Sequence, residues 1–182
     1  MSEATVEEGN ETEAEESTYS GLVGAFPYAF RRSDSWLFRS YVVLGGLVAA
    51  VITLLFVFAL VVLIAGTTGG RGGTFTLSRA FFIVVGLFVV APVLAPVLAV
   101  ARHHRRERAD RRYDAALALA GYLFVCSLYI GLVISVPPAQ QTTPTGALAP
   151  AIEALYTLPA LVGLLPPALA AAGIYLTHRS AR

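Results

Sequence analysis

The stretch from Tyr41 to Gly66 reads YVVLGGLVAAVITLLFVFALVVLIAG and decides the fold class, because none of its 26 residues is charged. An α-helix rises 1.5 Å per residue, so about 20 apolar residues cross the ~30 Å hydrocarbon core of a bilayer. The run also lacks the polar stripe of a soluble amphipathic helix. We therefore expect residues 41–66 to form a helix that spans a membrane.

Three further runs of the same kind follow, near residues 78–101, 113–136 and 150–176. Hydrophobic residues make up 56% of the chain and charged residues 14%, whereas soluble domains carry about 25% charged residues. This composition excludes a soluble enzyme, a disordered chain and a disulfide scaffold. Because short connections favour antiparallel neighbours, the sequence predicts an all-α polytopic membrane protein, an antiparallel four-helix transmembrane bundle over residues 41–176.

The segments outside the bundle differ sharply in composition. Residues 1–18 contain seven Glu and no basic residue, so they are predicted to be a disordered acidic cytoplasmic tail. Residues 19–40 interleave aromatic side chains with Arg, which is typical of a segment at the membrane interface. Within this segment we expect Pro27 to break any helix, and Ser33-Asp34-Ser35 to cap the next one. Residues 177–182 form the C-terminus.

The distribution of arginine predicts the orientation in the membrane. All thirteen basic residues are Arg. Eleven of them lie before span one, in the second loop or at the C-terminus, and an up-and-down topology places these three segments on the same side of the membrane. The other two, Arg71 and Arg79, lie on the opposite side. The positive-inside rule then predicts a multi-pass protein of the cell membrane whose two termini are cytoplasmic.

The same basic clusters predict contact with anionic lipid headgroups. The residues concerned are Arg31, Arg32, Arg39, Arg102, Arg105, Arg106 and Arg108. The second loop has no interleaved aromatic residue, so no nucleic-acid partner is expected. His103 and His104 are adjacent and point apart on a helix, so no metal site is expected there. The sequence contains no GxGxxG, GxxxxGK(S/T), HExxH or GxSxG motif, so no cofactor is expected. The expected partners are the lipid bilayer and either a second copy or another membrane protein.

The depth of the ionisable groups bears on function. Glu153, Asp114 and Arg79 each lie about 16 Å from the middle of their spans, at 1.5 Å per residue. Proton relays, ion-coupled carriers and voltage sensors place such groups near the bilayer centre. Asp114 is expected to cap span three or to pair with a local Arg. Glu153 is expected at the interface, with a contact to Arg79 as the alternative.

The candidate ligand-binding residues are Glu153, Arg79, Tyr122, Cys126 and Tyr129. The last three lie at i, i+4 and i+7 on one stripe of span three. The alternative is that these side chains face the bundle interior and hydrogen-bond to neighbouring helices. A redox role for Cys126 would need a nearby activating cation, and its span contains none. With no nucleophile–base pair and no metal-ligand set in the sequence, we do not expect an enzyme.

Five prolines interrupt the spans: Pro92 and Pro96 in span two, and Pro159, Pro166 and Pro167 in span four. Each frees a carbonyl four residues earlier, and freed carbonyls line cavities in transporters with broken helices. The alternative is a kink that only aids packing. The leading hypothesis is a non-enzymatic membrane protein that acts through helix packing and partner or lipid contacts. The alternative is a subunit of a small transporter or channel, which requires a polar, water-accessible cavity at these kinks.

The chain resembles an uncharacterised family of four-span integral membrane proteins of halophilic archaea, carried as a domain of unknown function. The resemblance rests on the acidic tail, on GLVGAFPYAFRRSDSWLFRSY at residues 21–41, on APVLAP at 91–96 and on RHHRRERADRR at 102–112. It implies a cell-membrane location, no known activity and no site residues.

Overall fold

The computed structural model describes residues 21–68, 73–105 and 110–180, and the predicted tail at residues 1–18 lies outside these ranges. Within them, every regular element is helical and there is no strand, which confirms the all-α prediction. The described α-helices are α1 (Gly21–Arg32), α2 (Trp36–Thr67), α3 (Gly73–His104), α4 (Arg111–Ile134), α5 (Ala149–Tyr156) and α6 (Leu165–Ser180). Short 3-10 helices cover Pro138–Gln140 and Ala160–Leu164.

Among the residues that the structure describes, four helical stretches are long and apolar enough to cross a membrane, and they confirm a polytopic membrane protein. They are Trp36–Thr67, Phe75–His104, Arg111–Ile134 and Ala160–Ser180. The first begins at Trp36 because the hydroxyl of Ser35 caps it, accepting a hydrogen bond of 3.3 Å from the backbone N–H of Phe38. The cap predicted from Ser33-Asp34-Ser35 is therefore confirmed.

The span predicted at residues 150–176 is a broken one. Helix α5 ends at Tyr156, Pro159 is extended with ψ near 139°, and a 3-10 turn leads into α6 at Leu165. Proline lacks an N–H and disfavours helical geometry in the residue before it, so Pro159 and the pair Pro166-Pro167 prevent one continuous helix. The break lies on the side of the bundle that carries the connection after α4.

Helix α1 corrects one expectation from the sequence. It runs from Gly21 to Arg32 with Pro27 inside it, so the expectation that Pro27 breaks any helix was wrong. Ala25 and Ala29, four residues apart, are fully buried against α2 and α3, while Pro27 is exposed. This packing outweighs the cost of a missing N–H, since tertiary contacts supply most of the stability of short helices.

The hydrophobic core is concentrated at one end of the bundle, which we call the closed end. Eleven buried residues from α1 to α4 form its main cluster. They are Ala25, Ala29, Phe38, Tyr41, Val42, Val97, Val100, Ala101, Tyr113, Leu117 and Ala118. A second cluster nearer the middle adds Ala49, Val93, Ala120, Phe124 and Ile174, so α6 joins the core there.

The other half of the bundle, which we call the open end, packs loosely. Beyond Ala49, none of the described residues of α2 is buried. Phe56 of α2 meets Phe82 of α3 with ring centroids 5.0 Å apart, while α6 packs chiefly on α4. The α2–α3 pair and the α4–α6 pair therefore converge at the closed end and leave a space between them at the open end.

Tyr41 ties three helices together in the core. Its ring lies directly against Gly121 of α4, where an added Cβ would come within 2.3 Å of the Tyr41 Cζ. Its hydroxyl donates to the backbone carbonyl of Val93 on α3 over 2.7 Å. The absence of a side chain at Gly121 is what lets this large residue sit between the helices.

Candidate functional site

A buried polar cluster, made of Ser33, His104 and Asp114, lies at the closed end. The Ser33 hydroxyl donates to Oδ2 of Asp114 over 2.5 Å, and Nε2 of His104 lies 2.9 Å from Oδ1. Ser33 and Asp114 are fully buried, and the His104 side chain is 1% exposed. We call this set the Asp114 cluster. It joins the α1–α2 turn to the end of α3 and the start of α4.

The turn between α1 and α2 positions Ser33. The Ser33 N–H donates to the carbonyl of Ala29 over 3.1 Å, so the residue closes the last turn of α1. Its hydroxyl oxygen also accepts from the N–H of Ser35 at 3.2 Å, and Nε of Arg39 donates to its carbonyl at 2.8 Å. These contacts hold the Ser33 side chain in place, with its hydroxyl directed at α4.

Helix α4 positions Asp114. Asp110 is the N-cap, and its carboxylate accepts from the N–H of Arg112 over 2.8 Å. Asp114 lies in the first turn of α4, where the positive end of the helix dipole favours a carboxylate. A buried carboxylate needs hydrogen bonds or a counter-charge, and Ser33 and His104 each supply a hydrogen bond.

His104 has one nitrogen in use and one free. Its Nε2 faces the carboxylate of Asp114, so the proton belongs on Nε2. Its Nδ1 is buried without a hydrogen-bond partner among the described residues. In the neutral ring that carries a proton on Nε2, Nδ1 is only an acceptor, so no buried N–H donor is left unpaired.

A second set of polar contacts flanks the cluster. The Tyr113 hydroxyl and Nδ1 of His178 lie 2.5 Å apart, which links α4 to α6. The ring of His103 lies 4.2 Å from the ring of Tyr113, centroid to centroid. All three histidines of the chain therefore lie at the closed end. Within the described ranges, no group of three or more His, Cys, Asp or Glu is arranged to hold a metal ion.

The position of Asp114 corrects a second expectation. The N-cap of α4 is Asp110, and the partners of Asp114 are Ser33 and His104, so the expected cap or local arginine pair was wrong. The side chain belongs to the buried stripe of α4 that continues through Leu117 and Gly121. A carboxylate at a core position of a helix needs a buried partner. The place of Asp114 on this stripe was therefore the signal in the sequence that could have predicted a buried partner for it.

Comparison of the sequence with known proteins identifies a family. The family model of a domain of unknown function, DUF8056, matches residues 1–182. The chain belongs to the DUF8056 family. No curated protein matches it, and no solved structure matches it.

The polar stripe predicted on span three divides in this DUF8056 protein. The Tyr122 hydroxyl lies 2.8 Å from Oγ of Ser40 on α2, as the interior alternative expects. Cys126 is exposed and Tyr129 is 68% exposed, so for these two residues the interior expectation was wrong. The buried face of α4 instead carries Phe124, which lies beside neither of them on the helix surface.

Arg79 and Glu153 lie towards the open end. Nε and Nη2 of Arg79 donate to Oγ1 of Thr67 over 3.0 and 2.6 Å, so Arg79 links the start of α3 to the end of α2. Glu153 is exposed on α5. The partner of Arg79 is therefore the Thr67 hydroxyl. Glu153, which was the alternative partner, lies at the surface.

The predicted headgroup-binding arginines lie mostly on the surface of the closed end. Arg39 is half-buried, with its guanidinium 5.8 Å from the centre of the Phe30 ring. Trp36, beside them, is 79% exposed. The exposed members are Arg31, Arg32, Arg102 and Arg105, while Arg106 and Arg108 lie outside the described residues.

An apolar groove of about 550 Å³ lies between α3, α4 and α6, in the open half of the bundle. Pro92 and Pro167 both line it, so the prolines of spans two and four do border a cavity. Its one lining hydroxyl belongs to Ser135, whose Oγ donates to the carbonyl of Ala160 at 3.3 Å. The other lining residues are Phe81, Val84, Val85, Phe88, Val89, Phe124, Leu128, Gly131, Leu132, Gly163, Leu164, Ala168 and Ala171.

Two glycines form the close contact at the base of this groove. A Cβ on Gly131 would come within 2.4 Å of the carbonyl oxygen of Gly163, and one on Gly163 within 2.6 Å of the Gly131 oxygen. Only hydrogen atoms fit between the two backbones. The break in span four therefore packs directly onto α4, a contact that the sequence analysis did not anticipate.

Proposed function

We propose that this protein works without catalysis, as an integral membrane protein that acts through helix packing and through contacts with lipid or a partner protein. The observation that carries the proposal is the groove between α3, α4 and α6, which is open to the bilayer and lined by hydrocarbon. Such a surface can bind an apolar partner, and it offers nothing to a charged substrate.

The geometry of the Asp114 cluster supports a structural role over an enzymatic one. In a serine hydrolase the histidine accepts the proton of the serine hydroxyl, and the carboxylate lies behind the histidine. Here the carboxylate stands in the middle, so Ser33 donates to Asp114 and does not reach His104 for activation. Ser33 is also fully buried, away from any substrate.

The position of the cluster also argues against ion-driven transport, which is the alternative function. Asp114 lies in the first turn of α4, about 16 Å from the middle of that span, while coupling carboxylates lie near the midplane. The kinks at Pro92 and Pro167 border a groove whose single hydroxyl, Ser135, already has a backbone partner. A transport pathway would need further polar atoms there.

We extend the proposal to location. The arginine bias favours a cytoplasmic closed end in the cell membrane. Exposed Arg31, Arg32 and Arg102, together with exposed Trp36, favour contact of this end with anionic headgroups. The acidic N-terminal composition and the absence of Lys support an origin in halophilic archaea.

A flux measurement tests the proposed function. The full-length protein is reconstituted into vesicles carrying a pH gradient, and internal pH is followed with a dye for the native chain, for Asp114→Asn and for empty vesicles. We expect all three to lose the gradient at the same rate. Flux above that of empty vesicles would establish transport instead, provided that Asp114→Asn abolishes this flux and the exposed-site control Asp34→Asn retains it.

A further inference from the structure

We propose that the groove between α3, α4 and α6 binds one hydrocarbon chain of a membrane lipid, which enters sideways from the bilayer. This inference rests on the proposed function, because it names the ligand class for the surface described there. Three properties of the groove point to this occupant: its length, its width and the chemistry of its walls.

The length of the groove matches one leaflet. Its α3 wall runs from Phe81 to Pro92 and its α4 wall from Phe124 to Ser135. Each wall covers eleven steps along a helix, which is about 16 Å at 1.5 Å per residue. Half of the hydrocarbon core is about 15 Å. The groove therefore reaches from the region of the midplane to the interface at the open end.

The width of the groove admits a hydrocarbon chain, and its length disfavours a helix. A hydrocarbon chain is about 4–5 Å wide, because packed carbon atoms lie roughly 3.5–4.0 Å apart. A volume of about 550 Å³ therefore has room for such a chain. A transmembrane helix crosses the whole ~30 Å core, whereas the groove covers about 16 Å of it, so a helix from another protein would leave about half of its length outside the groove.

The walls are suited to hydrocarbon and accessible from the bilayer. Phe88 is 75% exposed, Leu132 69% and Leu164 66%, so the rim of the groove faces the surrounding lipid. At its base the two glycines, Gly131 and Gly163, add no side chain, and the Ser135 hydroxyl donates to a protein carbonyl. A methylene chain that enters the groove therefore leaves no polar group of the wall without its hydrogen bond.

The gain over bulk lipid comes from dispersion contacts, since a chain in the bilayer is already away from water. A fixed concave wall of Phe, Val and Leu packs more densely against the chain than mobile neighbouring lipids do. A handful of extra carbon contacts is enough to enrich the site about threefold.

Photolabelling tests the inference on the full-length protein in phosphatidylcholine nanodiscs. The probe is a phosphatidylcholine that carries a diazirine half-way along one acyl chain, and labelled peptides are mapped by mass spectrometry. We expect the groove walls to be labelled about threefold more than exposed Leu54 and Leu55 of α2, because more chain carbons contact them.

Two alanines of α6 provide a matched pair of variants. Ala168 lines the groove and Ala172 does not, although both are exposed on the same helix. Ala168→Phe should fill the groove and lower the labelling of its walls to the level of α2, while Ala172→Phe should leave it unchanged. The helix content of both variants, measured by circular dichroism, confirms folding.

Three results would overturn the inference. Equal labelling at the groove and at α2 would show that the groove does not bind a chain. Labelling that Ala168→Phe leaves unchanged would show the same. In a parallel reaction with a bifunctional cross-linker, cross-links between two copies at the groove walls, with no lipid label there, would assign the surface to a second copy. None of these results produces flux in the vesicle assay, so failure of this inference is distinct from failure of the proposed function.

Discussion

The carboxylate of Asp114 and the imidazole Nε2 of His104 face each other over 2.9 Å, and both side chains are shielded from solvent. With the hydroxyl of Ser33 on its other oxygen, Asp114 holds three chain segments at one point. The contact lies where the α2–α3 and α4–α6 pairs converge. A bundle fixed at this end keeps its shape while its other half stays open to lipid.

Removal of the Asp114 carboxylate should destabilise the protein strongly. Asp114→Ala leaves the donors of His104 and Ser33 buried without their acceptor, and each such unpaired donor costs about 1–3 kcal/mol, or about 2–6 kcal/mol for the two. Ser33→Ala removes two hydrogen bonds, the one to Asp114 and the one from the Ser35 N–H, and should cost about 1–3 kcal/mol. Unfolding in mixed micelles with increasing dodecyl sulfate, followed by circular dichroism, measures both.

The exposed neighbour Asp34 provides the control for this series. Asp34→Ala should stay within about 0.5 kcal/mol of the native chain, as most surface substitutions do. A double-mutant cycle between Ser33→Ala and Asp114→Ala should show coupling, because the two residues share a bond. Asp114→Ala as stable as the native protein would mean that the cluster does not hold the closed end together.

Gly121→Ala should destabilise the core even though alanine is the better helix former. Its Cβ would come within 2.3 Å of Tyr41 Cζ, so the ring must move and give up its bond to the Val93 carbonyl. Overpacking of this kind costs about 1–3 kcal/mol. The same unfolding assay measures the loss.

Gly173→Ala is the matched control, since nothing lies within 4 Å of its added Cβ. It should gain about 0.5–1 kcal/mol from helix propensity. Replacement of Tyr41 by Leu should lift most of the penalty of Gly121→Ala. If the two glycine variants behave alike, Tyr41 does not pack on Gly121 as described.

Gly131→Ala should loosen the break in span four. The added Cβ meets the backbone oxygen of Gly163 at 2.4 Å, and backbone cannot rotate away as a side chain does. We expect faster amide hydrogen exchange at Val162, whose N–H bonds to the Pro159 carbonyl, and at Leu165. Exchange in α2 should be unchanged, and unaltered protection at Val162 would contradict the contact.

The orientation can be tested by labelling single cysteines in whole cells. In a Cys126→Ala background, Gln141→Cys should react with a membrane-impermeant maleimide from outside and Ala109→Cys should not. Permeabilised cells provide the control, because both positions should then react. The reverse pattern would place the closed end outside and overturn the arginine argument.

The features that could be predicted best from the sequence are those that depend only on neighbouring residues in the chain. The uncharged run at residues 41–66 needs only its length to be identified as a span, and Ser35 needs only its place before an apolar run to be identified as a cap. The proximity of Ser33 and Asp114 could not be predicted, because 81 residues separate them and only the packing of α1 to α4 at the closed end brings them together.

The remaining misses also have a physical cause in packing. The helix survives at Pro27 because Ala25 and Ala29 are buried beside it. Cys126 and Tyr129 face outwards, because lipid accepts an apolar or aromatic side chain as readily as the core does, so periodicity alone did not identify the buried face. The Gly131–Gly163 contact requires the broken span, whose geometry depends on Pro159.

Above all, we expect the open half of the bundle to hold hydrocarbon and not water. A nitroxide at Ala168→Cys in the Cys126→Ala background measures this directly, through its collision rates with oxygen and with a water-soluble nickel complex. We predict frequent collisions with oxygen and few with nickel, matching a nitroxide at Ala172→Cys in the same span. Strong nickel collisions at Ala168→Cys alone would reveal a water-filled cavity and contradict the account.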